Sequence, residues 1–301
     1  MRALICPGLP ASWVNAWLAG VGMTVLDCRI RLHWTEEDAP VAVLSAAEID
    51  PIAALVESWP GESFLSELPI AESWHGDGEL KRKVSVDQFA ARVQKARGHP
   101  QAWTLSSTMT DLSVYKDGEV AHAPLDPAGP GTTKWLHHRL LRIHKLIGPV
   151  CQDRLRDSLA GRTKRVKNNG LGFDCTRLGS LADSSDPWIE PVIELLAFFG
   201  LAIFPIRGRG VDRRLGRYGD PDERQRGWQK APGSSEPRRF VWPAWHQPLA
   251  AAGVDALLDV WRPFSCKQTW AMLGVRAGWR SVEYEARGKA DPTRGIGSEL
   301  L

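Results

Sequence analysis

The chain lacks most of the patterns that announce a known chemistry. Its five cysteines, Cys6, Cys28, Cys151, Cys175 and Cys266, lie far apart, are odd in number and contain no CxxC pair, so no zinc ribbon is indicated. Isolated thiols of this kind suit a reducing cytoplasm better than a secreted disulfide framework. No stretch reaches the ~20 continuous apolar residues of a membrane span. The longest candidate, 191–204, falls short and contains Glu194. The start is Met-Arg and then apolar, but Pro7, Gly8 and Pro10 interrupt it before the apolar region of a signal peptide can form. The expectation is a cytoplasmic protein with no membrane partner. There is no P-loop lysine motif, no GxSxG and no HExxH, and "RGRG" at 207–210 lacks the strand–helix setting of a dinucleotide fold. Tyrosine is scarce, with three against fourteen tryptophans. Those indoles have two uses open to them, packing in the core and stacking on bases.

What the chain does have is size and an uneven charge. Its 301 residues suit two ordinary domains or one large one, and an apolar fraction of 43% supports a sizeable core. The net charge is only +3. Yet residues 1–80 set three arginines against twelve Asp and Glu, an excess of nine negative charges, so the remainder carries an excess of twelve positive ones. Two stretches hold most of it. Residues 134–167 carry ten Lys or Arg against Asp153 and Asp157, with His137, His138 and His144 as latent charge. Residues 207–239 carry ten against five acids and are rich in Gly, Pro and Ser. Such clustering is the usual footprint of a polyphosphate partner, or else a solvated helix face and a disordered loop.

Periodicity places elements along the chain. A strand over 2–6 leads into a helix over 11–20 that Gly20 and Gly22 stop. "TVLDCRIRLHW" alternates, with Ile30, Leu32 and Trp34 on one face and Arg29, Arg31 and His33 on the other. "PVAVLSA" is the next strand, and "DPIAALVESW" a helix that begins at Pro51. The fold class is α+β: an N-terminal β-α-β-β-α portion, ferredoxin-like or an elaborated sheet, then a helix-rich basic α+β portion. A helix over 84–97, a strand over 102–114 and a hairpin tipped by Asp117-Gly118 follow. The loop 123–133 separates an acidic portion, 1–123, from a basic one, 134–301. The basic portion starts with a long helical region, 134–158, and a basic turn, "GRTKRVKNNG". It then runs through a strand over 171–175, a loop over 176–186 and a helix over 188–199. A mobile insertion is expected over about 207–237. A helix over 250–260 and the strand "WRSVEYEA" complete it.

The acids of the middle segment raise the question of an active site. Asp174, Asp183, Asp186, Glu190 and Glu194 could hold a metal. Alternatively, Asp186 caps a helix whose first residue is Pro187, and Glu190 falls near its third or fourth position. Capping accounts for both residues without chemistry, and no histidine lies near them in sequence. His137 and His144 share a helix face among arginines, a poor setting for a metal and a possible one for a single general base.

Three phrases carry a family resemblance. "LPASWVNAWLAGVGMTVLDCRIRLHW" resembles the opening of several CRISPR-associated proteins. "LGFDCTRLGSLADSSDPWIEPVIELLAFFGLAIFP" is similar to a motif in subunits of type I-U (type I-G) systems. There an aspartate–arginine strand leads to a Pro-Val-x-Glu-Leu-Leu-Ala helix and a Gly-Leu-x-x-Phe-x-Pro end. Here these are Asp174, Arg177, Pro191, Glu194, Leu195, Leu196, Ala197, Gly200, Leu201, Phe204 and Pro205. "FVWPAWHQPL" resembles a Trp-x-x-Pro-Leu phrase near the end of such proteins. The resemblance covers about half the chain. It implies a non-enzymatic subunit of a crRNA-guided antiviral effector complex, or an accessory protein of the same operon associated with the helicase–nuclease. Its implied partners are crRNA, target DNA or both, together with other effector subunits. No glycine-rich loop of the repeat-RNA endonuclease kind stands near the C-terminus, so RNA processing is not what the resemblance implies.

Charge and resemblance together select the nucleic-acid-binding residues Arg139, Arg142, Lys145, Arg162, Lys164, Arg165 and Lys167, with Arg207, Arg209, Arg213 and Arg214 on the insertion. No catalytic residue, metal or cofactor is expected. The acidic N-terminal portion would face a basic partner subunit. Two rivals remain: a nuclease that uses a histidine of 137–144 or the acids of 174–194 with a divalent metal, and a purely structural adaptor.

Overall fold

The computed structural model describes residues 2–74, 84–114, 119–122, 133–168, 170–171, 188–203, 227–229, 231–235, 239–283 and 296–301. The chain opens with β1 (Arg2–Pro10), α1 (Val14–Leu26), β2 (Arg31–Trp34), β3 (Val41–Ala46), α2 (Pro51–Glu57) and α3 (Glu62–Ser66). Then come β4 (Val84–Ser85), α4 (Val86–Ala96), α5 (Trp103–Thr108), β5 (Met109–Val114) and β6 (Glu119–His122). The basic portion begins with α6 (Thr133–Ile147) and α7 (Gln152–Leu159), followed by β7 (Val166–Lys167), β8 (Trp188–Ile189) and α8 (Pro191–Gly200). The chain ends with β9 (Trp228–Gln229), β10 (Arg239–Trp245), α9 (Ala251–Val260), α10 (Lys267–Met272), β11 (Val275–Glu283) and β12 (Ile296–Leu300). The architecture is mixed α+β. No helix of the described residues is long and apolar enough to cross a membrane.

The first sheet has the order β1-β3-β2, with β3 antiparallel to both neighbours. It is a split β-α-β unit, in which β3 returns between the two strands that α1 connects. The alternation of β2 sets its faces: Ile30, Leu32 and Trp34 are buried and Arg31 is exposed. At the start of α2, Asp50 accepts from the Ile52 amide at 2.8 Å, and Pro51 takes the first helical position.

α1 does not stop at its glycines. It runs through Gly20 and Gly22 to Leu26, because tertiary packing overrides their low helix propensity. Gly22 faces the backbone of Leu196 and Gly200, and Gly200 faces the carbonyl of Leu18, with no room for a Cβ at either. The glycines let α1 and α8 meet backbone to backbone. α8 is apolar on every side, and all ten of its residues are buried. It is the central helix, packed against α1, α6 and α7.

Two further elements depart from the periodicity, and one agrees with it. Residues 103–108 form a helical turn before the strand at 109–114. The β5–β6 pair is antiparallel, and the predicted tip at Asp117-Gly118 lies outside the described residues. The basic helical region divides in two because Gly148 (φ +69°) turns left-handed and Pro149 cannot continue the helix. The predicted loop at 176–186, that at 123–133 except Thr133, which opens α6, and most of the strand at 171–175 and of the insertion at 207–237 also lie outside the described residues.

Tryptophan joins the two ends of the chain. Trp17 Nε1 donates to the Pro243 carbonyl and Trp242 Nε1 to the Ala11 carbonyl, both at 2.8 Å. Trp245 Nε1 donates to the Leu32 carbonyl at 2.9 Å, and its ring meets those of Trp17 and Trp34 edge-on. A bridge between Leu32 and Leu249 adds two backbone hydrogen bonds. Buried indoles need both contact area and a partner for the N–H, and these find both across more than 200 residues. The second sheet, in the order β12-β11-β10-β9, is thereby held against the first through β10.

Candidate functional site

A cavity of about 380 Å³ opens where the end of β1, the start of α1, the end of α7 and the start of α8 converge. Its shape begins with two glycines. A Cβ on Gly8 would lie 2.5 Å from the Gly161 nitrogen and 2.8 Å from the Ser158 carbonyl. Only glycine lets β1 press on the turn that leaves α7, and that turn is the first part of the predicted basic segment.

Glu190 ties the floor together. It is the N-cap of α8, where Oε2 accepts from the Ile193 amide at 2.8 Å. Oε1 accepts from Ser158 Oγ at 3.0 Å and Thr163 Oγ1 at 3.1 Å, with the Arg154 guanidinium at 3.5 Å. Capping is thus the role of Glu190, one turn later than predicted. Pro191, not Pro187, takes the first helical position, and Asp186 lies outside the described residues. The reason is local: the residue before a proline is pushed to extended backbone, and Glu190 sits at φ −100°, ψ 109°. Glu194 is buried and accepts from the Leu171 amide at 2.6 Å. Asp174 and Asp183 lie outside the described residues.

The basic turn supplies one wall. The Arg165 guanidinium stands over the Trp13 ring at 5.3 Å, and both residues line the cavity. Lys164 and Lys167 are exposed beside it, with no ion-pair partner among the described residues. Arg162, also exposed, pairs with Asp157 at 2.6 Å. Trp188, 55% exposed, also lines the cavity. β7 and β8 set it beside the basic turn, since Lys167 pairs in register with Trp188 and Val166 with Ile189.

The other predicted residues lie elsewhere. Arg142 and Lys145 are exposed on α6, where Lys145 reaches Glu62 at 3.6 Å. Arg139, on the same helix, is partly buried, and that burial lowers its guanidinium below its ordinary value. None of the three lines the cavity. Arg207, Arg209, Arg213 and Arg214 lie outside the described residues. The histidines of α6 are tied to backbone. His137 is buried with Nε2 2.9 Å from the Leu65 carbonyl, and His144 Nε2 lies 3.1 Å from that of Pro60.

Sequence reasoning missed Trp13, Trp188, Ser158 and Thr163 as lining residues. One signal was available in "PWIEP". Pro191 pushes Glu190 to extended backbone, so the helix starts after Glu190 and Trp188 is left outside it.

No protein-family model matches the chain, and no curated protein matches it.

Proposed function

We propose that the chain is a non-catalytic nucleic-acid-binding subunit, or accessory protein, of a type I-U CRISPR antiviral effector complex. The observation that carries the binding role is the turn at 162–167. Lys164 and Lys167 project from it without partners among the described residues, while Arg165 is held on Trp13 at the mouth of a cavity. Cations next to an aromatic wall are what a single strand requires, phosphate neutralisation on one side and a stacking face on the other. The CRISPR assignment rests on the three sequence phrases, and crRNA or displaced target DNA is the ligand that it implies.

The test is a salt titration of binding to single-stranded RNA, single-stranded DNA and duplex DNA, with Mg²⁺ present and the products run on a denaturing gel. The wild type binds one of these with steep salt dependence and leaves it intact. Replacing Lys164, Arg165 and Lys167 together with Ala flattens the slope by roughly two units, since each single-strand phosphate contact contributes about 0.7. An unchanged slope overturns the interface, and cleaved products overturn the non-catalytic role. Co-purification with the effector subunits tests membership of the complex, and its absence overturns that.

A further inference from the structure

We infer that the cavity lined by Trp13 and Trp188 takes one unstacked nucleobase of the bound strand. The inference rests on the nucleic-acid reading above and adds a base-holding pocket to its phosphate track. The volume, about 380 Å³, lies within the range of small-molecule sites and admits a single nucleoside.

The lining has the composition that a base needs. Trp188 is more than half exposed on a two-residue strand, a large apolar ring left facing water at the rim. An indole in that position gains by covering its face, and every base has a face to offer. Trp13, also in the lining, has the Arg165 guanidinium 5.3 Å over its ring, and a guanidinium so placed still has N–H donors to offer. Arg165 lies between Lys164 and Lys167 along the turn, so a phosphate held by these exposed lysines lies within a residue or two of the cavity lining.

Two carboxylates line the cavity, and neither is left bare: Glu194 is buried and accepts from the Leu171 amide. Glu190 is 11% exposed at its side chain, both its oxygens already accept hydrogen bonds, and Arg154 balances its charge. The walls are also set in advance. The Gly8–Gly161 contact and the Glu190 knot fix the two sides without any ligand, so little ordering cost is left for binding.

The test compares two strands of about ten nucleotides, a span suited to one single-strand module: oligo(dA), and a fully abasic strand with the same phosphates. Phosphate contacts are common to both, so the turn contributes equally to each. The wild type is expected to prefer oligo(dA) by roughly 5- to 150-fold, the equivalent of one stacked base. Trp188→Ala, an exposed substitution that leaves the core untouched, removes that preference and keeps the salt slope. Lys164→Ala with Lys167→Ala weakens both strands alike and keeps the preference. A wild type without preference, or a Trp188→Ala variant that retains it, overturns the pocket while leaving the phosphate interface standing. If neither strand binds at ~50 mM salt, the nucleic-acid reading falls. Adenosine monophosphate, titrated against tryptophan fluorescence, then decides the pocket. Binding lost in Trp188→Ala keeps it as a nucleotide site, and no response overturns it.

Discussion

Replacing Gly22 with Ala should break the contact on which the fold is centred. A Cβ there would lie 1.9 Å from the Leu196 oxygen, 2.9 Å from the Gly200 nitrogen and 3.0 Å from the Leu196 carbonyl carbon. Ordinary contact begins at 3.4 Å, so α1 and α8 would have to part by about 1.5 Å. All three neighbours are backbone atoms of a buried helix, and no side-chain rotation relieves them. Separation on that scale forfeits much of the dispersion energy between the helices, around Leu18, Val21 and the ten buried residues of α8. Intrinsic propensity pulls the other way, since Ala is better than Gly in a helix by about 1 kcal/mol. Overpacking typically costs ~1–3 kcal/mol, and more where the clash is rigid. The packing term therefore wins, with a net loss of about 3 kcal/mol. Urea denaturation with linear extrapolation measures it. Gly253→Ala is the control: its Cβ meets only the flexible side chain of Leu249, and the variant should stay within ~1 kcal/mol of wild type. A Gly22→Ala protein as stable as wild type would refute the backbone-to-backbone contact.

Stability should fall as pH drops from about 7 towards 5. Burial holds His137 below the usual imidazole value near 6.5, and burial followed by the nearby His246 does the same to His33. The unfolded chain then binds more protons across that window, so the stabilisation is complete above it and lost on acidification. Urea midpoints at the two ends should show a shallower fall in a His33→Gln, His137→Gln double variant, and an undiminished fall would refute the assignment. The thiols should also separate. Burial pushes Cys6 up to about 12, whereas the Thr269 hydroxyl, 3.2 Å from Cys266 Sγ, lowers that exposed thiol. Iodoacetamide followed by mass spectrometry should label Cys266 ahead of Cys28 and Cys151 and spare Cys6 until the chain unfolds. Equal rates at Cys28 and Cys266 would remove the effect of Thr269.

The N-terminal pattern was legible because it obeys local rules. The alternation over Ile30, Leu32 and Trp34 puts three apolar side chains on one face of β2, and Asp50-Pro51 starts α2 by capping chemistry alone. Glu190 was legible as a cap but not at its position, because two prolines compete to start α8 and the backbone of both preceding residues is restrained. Gly20 and Gly22 misled for a related reason. A glycine that ends a helix and one that admits a neighbouring helix look the same along a chain, and only the partner distinguishes them.

Composition and periodicity by themselves determined the α+β class, the β-α-β-β-α opening, the acidic and basic halves and the basic turn at 162–167, since each depends on residues close in sequence. Tertiary structure alone decided which cations share a site. It brought Arg165 onto Trp13, 152 positions away in the chain, and put Trp188 in the same cavity lining, while Arg139, Arg142 and Lys145 stayed on α6. It also decided that Trp17, Trp242 and Trp245 are buried rather than free to stack. The physical reason is the same in each case. Burial and hydrogen-bond partners are pairwise properties of distant segments, and a single strand of letters records only one member of each pair.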